Sequence, residues 1–244
     1  MSTIAENIAN VHERITRSAR ETGRNPAEIC LIAVSKTRPA SDIREAWAAG
    51  ATDVGENYLQ EALDKQQALT DLPLIWHFIG PIQSNKTRAI AEHFDWVHTV
   101  DRLKVARRLS EQRPDELPPL NVCLQVNISR EPSKSGVLPE ELADLAAAVS
   151  DLPRLRLRGL MAIPAPAEDS AGRRAPLKAL RACLEQLPYE LDTLSMGMSE
   201  DLVEAVQEGA TQVRIGTALF GARQYASSAT PDLSIPVSSI SKEG

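Results

Sequence analysis

The chain has 244 residues, 43% of them hydrophobic but only 4% aromatic, so its core is built mainly from Leu, Val, Ile and Ala, and its length is ordinary for one α/β barrel. A formal net charge of −6 with no basic stripe argues against nucleic acid or an anionic membrane as partner. No apolar run approaches the ~20 residues of a membrane helix.

The chain opens on a helix over residues 3–22. Ile4, Ile8, Val11 and Ile15 recur at steps of three or four and give it one apolar face. This charged start lacks the apolar stretch of a signal peptide, so a cytoplasmic location is expected. Gly23 and Pro26 end the helix. Eight short apolar runs follow, at 30–34, 53–55, 76–79, 96–100, 120–126, 155–163, 194–196 and 212–215. Helix-like segments separate them, at 40–49, 58–69, 86–93, 102–112, 139–149, 173–187 and 200–208. Ser41 and Ser199 are expected to start their helices, and Gly50 and Gly209 to end theirs.

The runs are apolar throughout rather than alternating, as strands covered on both faces should be. Strand and helix alternating eight times predict a parallel sheet closed into a single (β/α)8 TIM barrel. An open doubly wound sheet competes, but no GxGxxG follows the first strand. The eighth strand has no long helix after it, so the N-terminal helix is expected to cover that position. The barrel domain is placed at residues 1–226, with 227–244 a flexible tail.

Cys30, Cys123 and Cys183 are odd in number and far apart, and read as small hydrophobes in a reducing compartment. His12, His77, His93 and His98 form no ligand motif, so no metal is expected.

Function in such a barrel sits where strands end. The first strand ends in Ser35-Lys36-Thr37. Lys36 could simply reach water, or its amine could stand in the barrel mouth, partly neutral through desolvation and able to form an imine with an aldehyde. After the seventh strand comes Met196-Gly197-Met198-Ser199, and after the eighth Arg214-Ile215-Gly216-Thr217. Loops at those strands commonly hold phosphate. Ser199 and Thr217 offer hydroxyls and Gly216 allows close backbone approach, although a cap and a packing glycine would look the same. Asn57 is either a ligand contact or a helix cap. His77 reads as a satisfied core histidine, Lys86 and Arg88 as a solvated face, and Lys134 as exposed on a mobile-looking loop.

Seven motifs in order are more specific than any one of them. They are Ala33-Val34-Ser35-Lys36-Thr37, GENYLQE at 55–61, HFIGPIQSNK at 77–86, SKSG at 133–136, GLMAIP at 159–164, LSMGMS at 194–199 and VRIGTALFGAR at 213–223. Together they resemble the pyridoxal 5'-phosphate (PLP) homeostasis protein family (the YggS/PROSC group) over about residues 4–225. The resemblance implies a barrel like the N-terminal domain of alanine racemase, with PLP as cofactor in a Schiff base on Lys36. It implies phosphate held by Ser199, Gly216 and Thr217, Arg214 facing the pyridine nitrogen, and Asn57 as a further contact. It implies storage or delivery of PLP to PLP-dependent apoenzymes, with effects on amino-acid and keto-acid balance, and no catalytic residue. Arg38 stands where many relatives have lysine, and 166–175 is idiosyncratic.

The competing reading is a PLP-dependent amino-acid racemase. Racemisation needs a base on each face of the cofactor. Racemases of this architecture take the second base, a tyrosine, from a C-terminal β-domain. The stretch after the eighth strand is too short for one, and Tyr58, Tyr189 and Tyr225 have no evident placement for the role. Arginine at the ring nitrogen also weakens the ring as an electron sink. A non-catalytic, monomeric PLP carrier is therefore the expectation.

Overall fold

A computed structural model describes residues 2–221. The tail expected at 227–244, and Arg223 and Tyr225, lie outside the described residues.

Helix α1 (Ile4–Glu21) starts on a reciprocal cap. The Glu6 amide donates to Thr3 Oγ1 at 3.2 Å, and the Thr3 amide donates to Glu6 Oε2 at 2.8 Å. Ile8, Val11, Ile15 and Ala19 form its buried stripe. A 3-10 turn at Pro26–Glu28 leads into β1 (Cys30–Val34). There follow α2 (Ala40–Ala48), β2 (Asp53–Glu56), α3 (Leu59–Ala68), β3 (Ile75–Phe78), α4 (Thr87–His93) and β4 (Trp96–Val100). Next come α5 (Leu103–Gln112), β5 (Leu120–Gln125), α6 (Leu142–Ser150), β6 (Leu155–Met161), α7 (Ser170–Glu185), β7 (Thr193–Ser195), α8 (Leu202–Gln207), β8 (Gln212–Ile215) and α9 (Thr217–Phe220).

The eight strands form a closed parallel barrel in chain order. β8 returns to β1, with Cys30 opposite Gln212 and Ala33 opposite Ile215. That closure excludes the open sheet. α1 packs on α8, α9 and α2, the place expected for it. Asn7 Nδ2 donates to the Leu219 carbonyl at 2.8 Å, and Arg24 donates to the Val206 and Ala210 carbonyls at 2.6 and 2.8 Å. These bonds tie α1 and the turn after it to carbonyls at or near the C-terminal ends of α8 and α9, where backbone acceptors are left over.

Local details depart from expectation. Ser41 lies inside α2, whose N-cap is Pro39. Ser199 does not cap α8, which begins three residues later behind Asp201. The Asp201 carboxylate instead accepts the Met198 amide at 2.7 Å. The helix expected from 139 opens as a 3-10 turn, Pro139–Glu141. α7 starts earlier than expected because Asp169 caps it, and Pro176 is accommodated within it. β6 ends at Met161, short of residue 163. Gly50 and Gly209 do hold the left-handed conformation past their helices. No helix among the described residues is long and apolar enough to cross a membrane.

Candidate functional site

At the C-terminal end of β1, Ser35 is buried and Lys36 half-buried in a turn. Thr37 takes φ +64°, a strained value for a β-branched residue. A buried ion cluster holds this turn. Lys65, on α3, donates to the Ser35 carbonyl at 2.7 Å and to Glu56 and Glu61 at 2.6 Å each. Glu61 Oε1 accepts the Thr37 amide at 2.6 Å, and Glu56 accepts the Ser35 hydroxyl. The residues on both sides of Lys36 are thus pinned from behind. Burial pushes the Glu56 carboxyl up, against the pull of Lys65. Sequence reading missed Lys65, because a lysine inside an amphipathic helix gives no sign of burial.

Asn57 follows β2. Its side chain does not cap α3, whose N-cap is Tyr58. Asn57 Oδ1 is instead buried without a hydrogen-bond partner. The turn after β3 packs against it: a Cβ added at Gly80 would lie 2.1 Å from the Asn57 carbonyl oxygen.

The loops after β7 and β8 complete the mouth. Gly197 holds φ +97° and leaves no room for a Cβ, which would lie 2.5 Å from Ala205 Cβ. Ser199 Oγ accepts the Ala218 amide at 3.4 Å and so joins the two loops. At Gly216 a Cβ would come within 3.2 Å of the Val34 carbonyl oxygen, so close packing against β1 also favours glycine there.

Lys36, Asn57, Ser199, Arg214, Gly216 and Thr217 line one cavity of about 300 Å³. Val34, Ile79, Ile163 and Met198 give it apolar walls, and Glu200 also borders it. The volume is at the small end of the range for ligand pockets. A second cavity of about 260 Å³ shares Asn57, Ile79 and Ile163 with the first. Lys134 lines it half-buried rather than exposed, donating to the Pro164 carbonyl at 3.0 Å and pairing with Glu131 at 2.7 Å. Arg38 donates to the Gly221 carbonyl at 2.6 Å.

Arg214 crosses the barrel interior. It donates to Ser195 Oγ at 2.7 Å and to the Ala162 carbonyl at 2.9 Å. Burial lowers its guanidinium to about 10, which leaves it charged at neutral pH. Beyond Ser195 lie His98 and His77, both fully buried. Burial above all pushes His98 well below the usual histidine range, and its neighbours His77 and Arg214 push in the same direction. His77 is a satisfied interior residue, as expected, with its Nε2 2.9 Å from Asp53. The described residues contain no His/Cys/Asp/Glu cluster fit for a metal.

The sequence matches the family described as alanine racemase, N-terminal domain, over residues 3–224. A pyridoxal phosphate homeostasis protein of Pseudomonas aeruginosa is 67% identical over 230 residues, covering 94% of this chain and 100% of that one. This chain belongs to the pyridoxal phosphate homeostasis protein family. The homeostasis protein of Escherichia coli K12 is 55% identical, across 92% of this chain and 99% of its own. PipY of Synechococcus elongatus PCC7942, solved with PLP bound, superimposes with a TM-score of 0.79 at 42% identity, covering 90% of this chain and 100% of its own. Alanine racemase of Clostridium difficile 630 shares the fold alone, with a TM-score of 0.70 at 14% identity, 91% of this chain and 58% of the racemase.

Proposed function

We propose that this chain holds PLP in the cavity at the barrel mouth, as a Schiff base on Lys36, and supplies it to PLP-dependent apoenzymes without turning over a substrate of its own. The observation that carries this reading is the convergence of six residues from four different strand ends on one cavity, with the buried Asn57 Oδ1 lacking a partner there. A buried polar atom without a bond is costly, and a ligand donor removes that cost. Membership in the homeostasis family and the PLP-bound PipY structure support the choice of ligand.

The residues present fit the group. PLP brings an aldehyde for an amine, a phosphate dianion for a cradle, and an electron-withdrawing ring. Lys36 supplies the amine. Ser199, Gly216 and Thr217 supply hydroxyls and close backbone to the phosphate. Val34, Ile79 and Ile163 offer apolar contact to the ring. Arg214 stays cationic and would face the pyridine nitrogen, which it would keep unprotonated.

The racemase reading needs a second base facing Lys36 across the cofactor. Among the described residues lining the cavity there is no tyrosine, histidine or cysteine; Glu200, at the mouth and exposed, is the one carboxylate. That favours a carrier. We place the protein in the cytoplasm as a monomer, which light scattering of the purified chain checks.

The deciding experiment is an absorbance spectrum with and without borohydride, followed by peptide mass spectrometry. The purified protein is expected to be yellow, with the reduced adduct on Lys36. An adduct elsewhere refutes the assignment. Lys36→Ala is expected to lose the visible band and stay folded. Chiral analysis with single L-amino acids is expected to show no D-isomer, and clear turnover restores the racemase.

A further inference from the structure

The barrel interior holds a line of polar contacts that the PLP reading does not use in full. Asp53 Oδ1 lies 2.9 Å from His77 Nε2, His77 Nδ1 lies 2.9 Å from His98 Nε2, and His98 Nδ1 lies 2.7 Å from Ser195 Oγ. Ser195 Oγ in turn accepts from Arg214 Nη1 at 2.7 Å. Asp53 begins β2, at the N-terminal end of the barrel, whereas Ser195 ends β7 and bonds Arg214, which lines the cavity. The line therefore runs from the floor of the barrel to its mouth, through four strands besides β8. Interiors of such barrels are ordinarily filled with branched apolar side chains. A buried polar chain of this length is costly unless every member is satisfied.

Donor and acceptor logic fixes the protons. The Asp53 carboxylate only accepts, so His77 donates from Nε2. A neutral His77 then accepts at Nδ1, so His98 donates from Nε2. His98 accepts at Nδ1, so the Ser195 hydroxyl donates to it. Ser195 is left with lone pairs for Arg214. In this one arrangement every contact in the line is a good hydrogen bond. The reverse arrangement needs a cationic His77. It makes Ser195 accept from both His98 and Arg214 and leaves its hydroxyl proton without a partner in the line. It also brings a second cation into the interior that already buries Arg214. Arg214 remains far more basic than Asp53, so protons do not pass along the line to the carboxylate. The line orients; it does not conduct.

We propose that Asp53, His77, His98 and Ser195 are positioning residues that act in series, fixing the donor geometry of Arg214 at the cavity from a carboxylate at the opposite end of the barrel. This rests on the reading that Arg214 meets the ring nitrogen of PLP. The surroundings favour a rigid line. Trp96 stacks on His77 with centroids 5.6 Å apart and planes 12° apart. The Arg158 guanidinium covers Trp96 at 4.8 Å and pairs with Asp192 at 2.6 Å. Cys30 hydrogen-bonds to Asp53. Cys123 lies fully buried within the charge field of Arg214 and Arg158.

The test uses the full chain labelled with ¹⁵N. Long-range ¹H–¹⁵N spectra at pH 8 without PLP are expected to show His77 and His98 both neutral and both protonated at Nε2. A His98 protonated at Nδ1 overturns the proposal. Asp53→Leu removes the acceptor at a position near the barrel floor where the side chain is partly exposed. It is expected to let the His77 and His98 tautomers mix, to weaken PLP binding about tenfold, the loss of roughly one hydrogen bond, and to shift the ring-nitrogen resonance of ¹⁵N-labelled PLP. Asp53→Asn restores an acceptor without the charge and is expected to recover most of the affinity and the wild-type resonance. Should Asp53→Leu fold poorly, His77→Phe cuts the line while keeping an aromatic ring against Trp96, with the same expected readings. Wild-type affinity and an unmoved ring-nitrogen signal in a folded cut variant overturn the positioning role and leave the PLP reading standing. Wild-type protein that binds no PLP sinks both.

Discussion

The ammonium of Lys65 lies 2.7 Å from the carbonyl oxygen of Ser35, the residue before Lys36. A lysine 6% exposed on the back of the barrel thus braces the backbone that presents another lysine to the cavity. The same ammonium neutralises Glu56, which is fully buried. Lys65→Met leaves that carboxylate without its cation, a change that costs about 3–5 kcal/mol in comparable buried pairs. Urea unfolding should register a loss of that size, and PLP loading of the folded fraction should fall. Adding Glu56→Gln should recover part of the stability. A single variant as stable as the wild type would show that the cluster is not a brace.

Gly80 touches Asn57 through its missing side chain. A Cβ there lies 2.1 Å from the Asn57 carbonyl oxygen, so the backbone must move. Gly80→Ala is expected to cost about 1–3 kcal/mol, as overpacking generally does. It should also displace Asn57 from the cavity wall and weaken PLP binding. Thermal melts and a PLP titration check the two effects. An unchanged titration would remove Asn57 from the ligand contacts.

Burial alone would raise the Asp53 carboxyl, but hydrogen bonds from His77, Thr52 and Cys30 overcome it and hold the group below its ordinary 3.8. A depressed folded value means that the unfolded chain takes up the proton first as pH falls. The contribution of Asp53 is therefore complete above its ordinary value and is lost as pH drops through the lower folded value. The stability gap between wild type and Asp53→Asn should be constant near neutrality and should narrow below about pH 4. Urea midpoints at pH 7 and pH 3 measure it; parallel curves down to pH 3 contradict it.

Burial raises the Cys123 thiol to about 12 and also lifts Cys183. Cys30 is raised further, by burial first and then by the Asp53 carboxylate. Only thiolates alkylate readily. Iodoacetamide at pH 8 should therefore label the half-exposed Cys183 ahead of the others, and fully buried Cys123 only on unfolding. Peptide mapping of the labelled protein decides it, and early labelling of Cys123 would mean that the barrel opens.

The candidate site was legible to the extent that strand ends are. Lys36, Ser199, Gly216 and Thr217 stand directly after apolar runs, and a closed barrel brings all such positions to one rim. Ser199 is not the helix cap that the acids after it suggest: Asp201 stands at the N-cap position and α8 begins at Leu202. Asn57 could not be decided from its neighbours, because a ligand contact and a cap place the same residue at the same point. The structure excludes the cap, since Tyr58 takes that position and Asn57 Oδ1 has no hydrogen-bond partner. The polar loop around Lys134 reads as exposed, yet the chain folds back so that the lysine reaches the Pro164 carbonyl.

By itself the sequence determined the alternation of strands and helices, the count of eight and the residues at the barrel mouth, since all of these follow from periodicities and end signals a few residues long. Only the tertiary structure decided how Asp53, His77, His98, Ser195 and Arg214 join into one line, and how Lys65 comes to lie behind Lys36. Those bonds link separate elements 19 to 97 residues apart, whose distance is set when the sheet closes on itself. Nothing local in the chain encodes that closure distance, so the polar interior becomes visible only in three dimensions.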